Sequence, residues 1–277
     1  PTHISTENGL LPSNAVDDIC PVAGEVVVAT RRGLCILTEG EDGWSTVPGA
    51  SLPGHATALC AGNGDILAAV DGQLYSGVAD TTPWQWTALG PPLPAPARCL
   101  YRAADGILAG TAGGLYRLEG DAWEKLVHSE APLAAMVNDI TSLGEVVYIA
   151  TAGGLFRLVE STWTCLGAAE GIPDAHVTAL TVRGEDLYIG TFGGGIAVLR
   201  NGRIARVHQG PGYITALSAT GKTIWAGTPD GGVRAWNGAA WRQLARPAEP
   251  PGNNVTAVVM GAGGDVWIGT FDRGVGR

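Results

Sequence analysis

Phenylalanine is scarce in this chain, 3 among 277 residues, and methionine is scarcer at 2. No run of about 18 consecutive apolar residues occurs, so no helical membrane span is expected, and the N-terminus lacks the basic-then-apolar pattern of a signal peptide. Basic residues never cluster beyond the pair Arg31-Arg32, and 17 Lys+Arg against 26 Asp+Glu leave a net charge of −9. Proteins that neutralise many phosphates need the opposite balance, so nucleic acid is not an expected partner. The five cysteines, Cys20, Cys35, Cys60, Cys99 and Cys165, are odd in number and at no metal-ligand spacing. They predict small buried hydrophobes with no disulfide, and neither a metal nor any other cofactor is expected. Starting at Pro1, the chain reads as a processed form or an excised piece.

What the chain has in excess is glycine, 42 residues without the every-third spacing of collagen. The 45% hydrophobic content excludes a disordered chain. Many glycines mean many turns, and the turns are periodic. Leu108-Ala-Gly-Thr-Ala-Gly-Gly-Leu115, Tyr148-Ile-Ala-Thr-Ala-Gly-Gly-Leu155 and Trp267-Ile-Gly-Thr-Phe-Asp-Arg-Gly-Val275 are copies of one block. Seven copies align on Thr30, Val70, Thr111, Thr151, Thr191, Thr228 and Thr270, spaced 37 to 42 residues apart. A unit of about 40 residues with period-2 apolar alternation and frequent glycine is a four-stranded propeller blade, not a leucine-rich or helical repeat.

Each unit resolves into four strands. The inner one reads apolar-Thr-Ala-Leu, as in Val177-Thr-Ala-Leu180, and the second is the anchor block, where Gly or Ala before Thr lets blades approach near the axis. A third strand follows the glycine turn, and an outer strand opens on Trp44, Trp86, Trp123, Trp163 or Trp241. Those recurring rings are expected as wedges between blades. After Thr270 only seven residues remain, too few for an outer strand. Thr2-His-Ile-Ser5 is therefore expected to pair with Gly274-Val-Gly-Arg277, so that residues 1–6 complete blade seven and close the open edges. The expected fold is an all-β seven-bladed propeller of four-stranded antiparallel blades, one domain over residues 1–277.

Thr6-Glu-Asn-Gly-Leu10 with Pro12-Ser-Asn14, and Trp267-Ile-Gly-Thr270 followed by Asp272-Arg-Gly-Val275, resemble the two-component-regulator propeller repeat over nearly the whole chain. That resemblance implies a sensory propeller of a periplasmic receptor, fused to an immunoglobulin-like module and a histidine kinase, that binds poly- or oligosaccharides or protein partners. No kinase follows here, so signalling by this chain alone is not expected, and other domains of a larger chain become candidate partners. Similarity to streptogramin-lyase-like propellers is confined to the blade pattern.

Columns that agree across blades are framework, and polar or aromatic columns that vary are candidates for a ligand. The residue before each inner strand reads Ala15, His55, Pro96, Met136, His176, Tyr213 and Asn254, and two places on stand Asp17, Thr57, Arg98, Asn138, Thr178, Thr215 and Thr256. With the turn after the anchor they should ring one mouth. The candidate ligand-binding set is Arg31, Arg32, Asp71, Arg98, Asn138, Phe192, Tyr213, Asp230, Asn254, Phe271, Asp272 and Arg273. Rings beside carboxylates and guanidinium groups suit a sugar face or a peptide, so a carbohydrate or protein ligand is expected. The same residues would serve as an ordinary solvated turn surface. His55 and His176 share a column three blades apart and are the weak catalytic candidates for a lyase or hydrolase, while His3, His128 and His208 stand alone. A purely structural scaffold is the third possibility. Cysteine usage and the missing signal favour the cytoplasm, whereas the resemblance favours the periplasm.

Overall fold

The computed structural model describes residues 3–47, 50–62, 64–78, 84–126, 135–159, 162–208, 210–244, 252–261 and 263–277. Thr2 of the expected closing strand and His128 lie outside them. The described residues form seven four-stranded antiparallel sheets, each in chain order from the axis outward except the last. Inner strands span Val16–Val22, Ala56–Ala61, Ala97–Ala103, Val137–Leu143, Val177–Arg183, Ala216–Thr220 and Val255–Met260, for blades one to seven. Blade four shows the pattern in full, adding Val146–Thr151, Gly154–Val159 and Thr162–Leu166. Blade seven takes its outer strand from the other end of the chain. His3–Ile4 pairs with Gly274–Gly276, His3 opposite Gly276 and Ile4 opposite Val275, as closure requires.

The anchor threonines hold the blades' second turns. Each hydroxyl is buried and donates across the turn, Thr30 to the Gly33 carbonyl at 2.6 Å, Thr111 to Gly114 at 2.9 Å and Thr151 to Gly154 at 2.8 Å. Blade two has Val70 there and loses that bond. Asp71, at a φ of 49°, compensates by accepting the His55 backbone N–H at 2.8 Å.

Apolar packing is organised by seam. The described core falls into seven clusters, each joining neighbouring blades, such as Tyr148 and Leu155 with Val177 and Leu187 between blades four and five. The glycine before the anchor is required by these seams. A Cβ on Gly110 would lie 2.5 Å from Val137 Cγ1, and one on Gly269 would lie 2.8 Å from Val16 Cγ1. Leu11 and Ile172 are buried at equivalent places in the linkers that enter blades one and five, each just before a proline.

Tryptophans of the outer strands wedge against the preceding blade. Trp86 Nε1 donates to the Ala50 carbonyl at 2.8 Å and Trp123 Nε1 to the Pro91 carbonyl at 2.9 Å. At the closing seam Trp44 meets the fully buried Trp267 edge-on, with centroids 5.0 Å apart. Arg277 lies over both rings and binds Glu39 at 2.6 Å and Asp265 at 2.7 Å, tying blade seven to blade one. All five cysteines are free.

Candidate functional site

Six of the seven inner strands carry a β-bulge at the same place, for instance between Val137 and Asp139. The bulged residue has no partner in the second strand, and a bulge redirects its side chain. These bulge residues are Asp17, Thr57, Arg98, Asn138, Thr178 and Thr256, the column singled out in the sequence. Along the axis they mark the throat between two connected spaces. Above it is a mouth of about 730 Å³ and below it an axial channel of about 330 Å³, with Asp17, Arg98, Asn138 and Thr178 facing both.

The turn after the anchor is fixed beside the residue that precedes the inner strand. Phe192 N–H donates to the His176 carbonyl at 2.9 Å and Phe271 N–H to the Asn254 carbonyl at 2.9 Å. Pairing of these two columns places their side chains side by side. His176 stacks on Phe192 with centroids 5.2 Å apart and planes at 6°, and Phe192 meets Tyr213 at 4.5 Å. Further round, the Arg31 guanidinium lies 4.4 Å over the Phe271 ring. One side of the mouth, from blade five to blade seven, is therefore aromatic.

The other side, from blade one to blade three, is polar. His55 Nε2 is 3.0 Å from Asp17 Oδ2 across the seam between blades one and two. Burial raises the Asp17 carboxyl, opposed by His55 and by the nearby charge of Arg31. Arg98 is exposed at the throat. Asn138 donates to the Val177 carbonyl of the next blade at 2.8 Å, so its amide is partly spent on the seam.

Of the expected ligand residues, Arg31, Arg98, Asn138, Tyr213, Asn254 and Phe271 line the mouth together with His55 and His176. Phe192 stacks on His176 but does not itself line the mouth. Asp71 is bound to its own blade's backbone. Arg32 lines a separate groove with Leu10 to Pro12 and Ser51 to Pro53. Asp230, Asp272 and Arg273 are exposed but do not line the mouth; Asp272 and Arg273 pair with each other at 3.8 Å. Among the described residues no group of three or more His, Cys, Asp or Glu is placed to hold a metal.

Two carboxylates escaped the sequence reading. Asp18 accepts the Ile19 and Leu59 backbone N–H groups, each at 2.8 Å, and Asp139 accepts those of Ile140 and Leu180 at the same distances. Leu59 and Leu180 belong to the following blades, so each carboxylate staples a seam. Desolvation pushes Asp18 up to about 7, with the Asp139 charge adding to the rise, and pushes Asp139 up to about 6. Their signal was present one column further on, where Asp18 and Asp139 interrupt Ala58, Cys99, Ala179, Ala216 and Ala257.

The profile of the HVO_0234-like beta-propeller family matches residues 7–185. No curated relative matches the sequence. Among solved structures, the WD40 beta propeller domain of Doa1 superposes with a TM-score of 0.75 at 15% identity, over 99% of this chain and 93% of that one. The extracellular domain of the putative hybrid two-component system BT4673 from B. thetaiotaomicron gives 0.76 at 14%, over 96% of this chain but only 38% of that one. Streptogramin B lyase gives 0.72 at 14%, over 96% and 93%. At such identities the likeness is one of fold, and it spans a WD40 domain, the extracellular domain of a two-component system and a lyase.

Proposed function

The chain belongs to the HVO_0234-like beta-propeller family, and from that footing we propose that it is a binding module that recognises a carbohydrate in the mouth of its top face. The observation that carries the reading is the gathering of rings there. Tyr213 and Phe271, 37% and 40% exposed, line the mouth, and Phe192, 49% exposed, adjoins it through its contacts with His176 and Tyr213. Leaving such rings in water costs apolar burial that the core would otherwise have gained. A ring face covers the apolar face of a sugar, while Asn254 beside the rings and His55 and Thr57 on the polar side supply partners for hydroxyl groups. The concave shape, with a volume inside the range of about 300–1,000 Å³ typical of small-ligand sites, supports a sugar over a flat protein surface. A protein segment is the second reading, favoured by Phe192, which is exposed outside the mouth and available to a larger partner.

Binding of the wild-type chain to a glycan array, beside the Tyr213→Ala and Phe271→Ala variants, tests this. Retention by the wild type that either variant loses, with an unchanged melting curve, is the expected result. Activity on a glycan that disappears in a His55→Ala/His176→Ala variant would replace a binding module with an enzyme.

A further inference from the structure

The residues at the throat divide by what their side chains do. Asn138, Thr215 and Thr256 each donate to the first inner-strand carbonyl of the next blade, at 2.8, 2.6 and 2.7 Å. Asp17, Thr57 and Thr178 of the same column make no such bond, and neither does Arg98. Among the described residues its guanidinium has no hydrogen-bond or ion-pair partner, although it faces both the mouth and the channel.

The carboxylates that line the mouth and the channel are all engaged. Asp17 holds the His55 ring in the mouth, and in the channel Asp18 and Asp139 each accept two backbone N–H groups at 2.8 Å. Arg31 rests on Phe271 rather than on a carboxylate within 4 Å. So the mouth satisfies its negative groups internally and leaves guanidinium charge over, in a chain whose net charge is −9. Among the described residues Arg98 is the charged member of this column that the ring leaves without a partner, Asp17 being held by His55. The planar fork of arginine matches a carboxylate through two parallel N–H bonds.

We infer that the ligand is anionic: an oligosaccharide bearing a carboxylate sugar of the uronate or sialate kind, that carboxylate on Arg98 and the ring face of another of its sugars against Tyr213 or Phe271. This rests on the carbohydrate reading and adds the charge to it. Arg98 and the rings stand on opposite sides of the mouth, so an oligosaccharide lying across it meets both.

The probes are immobilised oligogalacturonate, oligomannuronate and sialyllactose, each beside its carboxyl-reduced neutral counterpart, with oligoglutamate as the acidic peptide. They are tested against the full chain and its Arg98→Gln, Arg98→Lys and Tyr213→Ala variants. We expect at least one acidic sugar to bind about tenfold more tightly than its neutral counterpart, the gain from a hydrogen-bonded charge. Arg98→Gln should bring it down to the neutral level, Arg98→Lys should restore part of the difference, and the melting temperature should not move. Equal binding of acidic and neutral forms, or an Arg98→Gln variant that binds like wild type, overturns the inference and leaves the carbohydrate reading intact wherever Tyr213→Ala abolishes binding. Retention of oligoglutamate alone, or of no sugar at all, overturns the carbohydrate reading and the inference with it.

Discussion

Blades four and seven carry the same repeat and are assembled differently. In blade four the third and outer strands follow one another along the chain and pair over five registers, from Leu155 with Leu166 to Val159 with Thr162. In blade seven the corresponding strands come from opposite ends and pair over two. Blade seven keeps the shared apparatus, with the Thr270 hydroxyl on the Gly274 carbonyl at 2.9 Å and Thr256 bound to the Val16 carbonyl at 2.7 Å. What it adds is side-chain contact: fully buried Ile4, the Trp44–Trp267 pair and the two ion pairs of Arg277. Blade four has a carboxylate staple, Asp139, where blade seven has Ala257. A seam can thus be secured by covalent continuity and a buried polar bond, or by apolar and charged contacts at the rim.

The largest disruption should come from removing the borrowed strand. Deleting residues 1–8 strips Ile4 from its core and exposes Val275, a loss comparable to emptying a buried aliphatic site, about 2–5 kcal/mol. In a chain of this size that lowers the melting temperature by roughly 10 °C, measurable by calorimetry. A truncated chain that melts with the full one would show that blade seven closes without it. Next comes the staple of blade four. Asp139→Ala leaves the Leu180 N–H without its acceptor, and an unsatisfied buried donor costs about 1–3 kcal/mol; hydrogen exchange at Leu180 should rise more than at Ile268 of blade seven.

The staples also set a pH dependence. Asp18 and Asp139 hold their protons to about pH 7 and about pH 6 when folded, against an ordinary value of 3.8, so the folded state binds more protons than the unfolded between those limits. Their contribution to stability is therefore greatest near pH 4 and falls as pH rises towards 7. Chemical denaturation across that range should show the decline, and an Asp18→Asn variant should flatten it; an unchanged slope would remove Asp18 as its source. The smallest effect is expected at the rim. Arg277→Gln removes two partly exposed ion pairs and the stacking on both tryptophans, and should cost about 1 kcal/mol or less by equilibrium unfolding.

Repetition made the scaffold legible. The threonine anchors, the glycines that let seams close and the missing outer strand of blade seven each recur, or fail to recur, in a column of seven. The bulges were hidden because they appear only once partner register is known: buried Val16 and Ile19 stand three apart where an uninterrupted strand would place them two apart. The turn residues proved harder to sort. Arg31, Phe271 and Pro229, first after the anchor, face the mouth and Arg32, Asp272 and Asp230, next in line, do not, but Phe192 and Asp71 are also first after the anchor and are drawn away by the His176 ring and the His55 N–H. Asp18 and Asp139 went unread since the compared columns flanked theirs.

The way blade seven is closed also fixes how the ring would respond to tension between its ends. His3 lies opposite Gly276, so both chain ends leave the sheet at the same end of an antiparallel pair. A pull on the two ends loads that pair as a zipper, one hydrogen bond after another, instead of shearing all of them together. The load meets the Arg277 clamp first, just outside Gly276, and opening then runs into the borrowed strand.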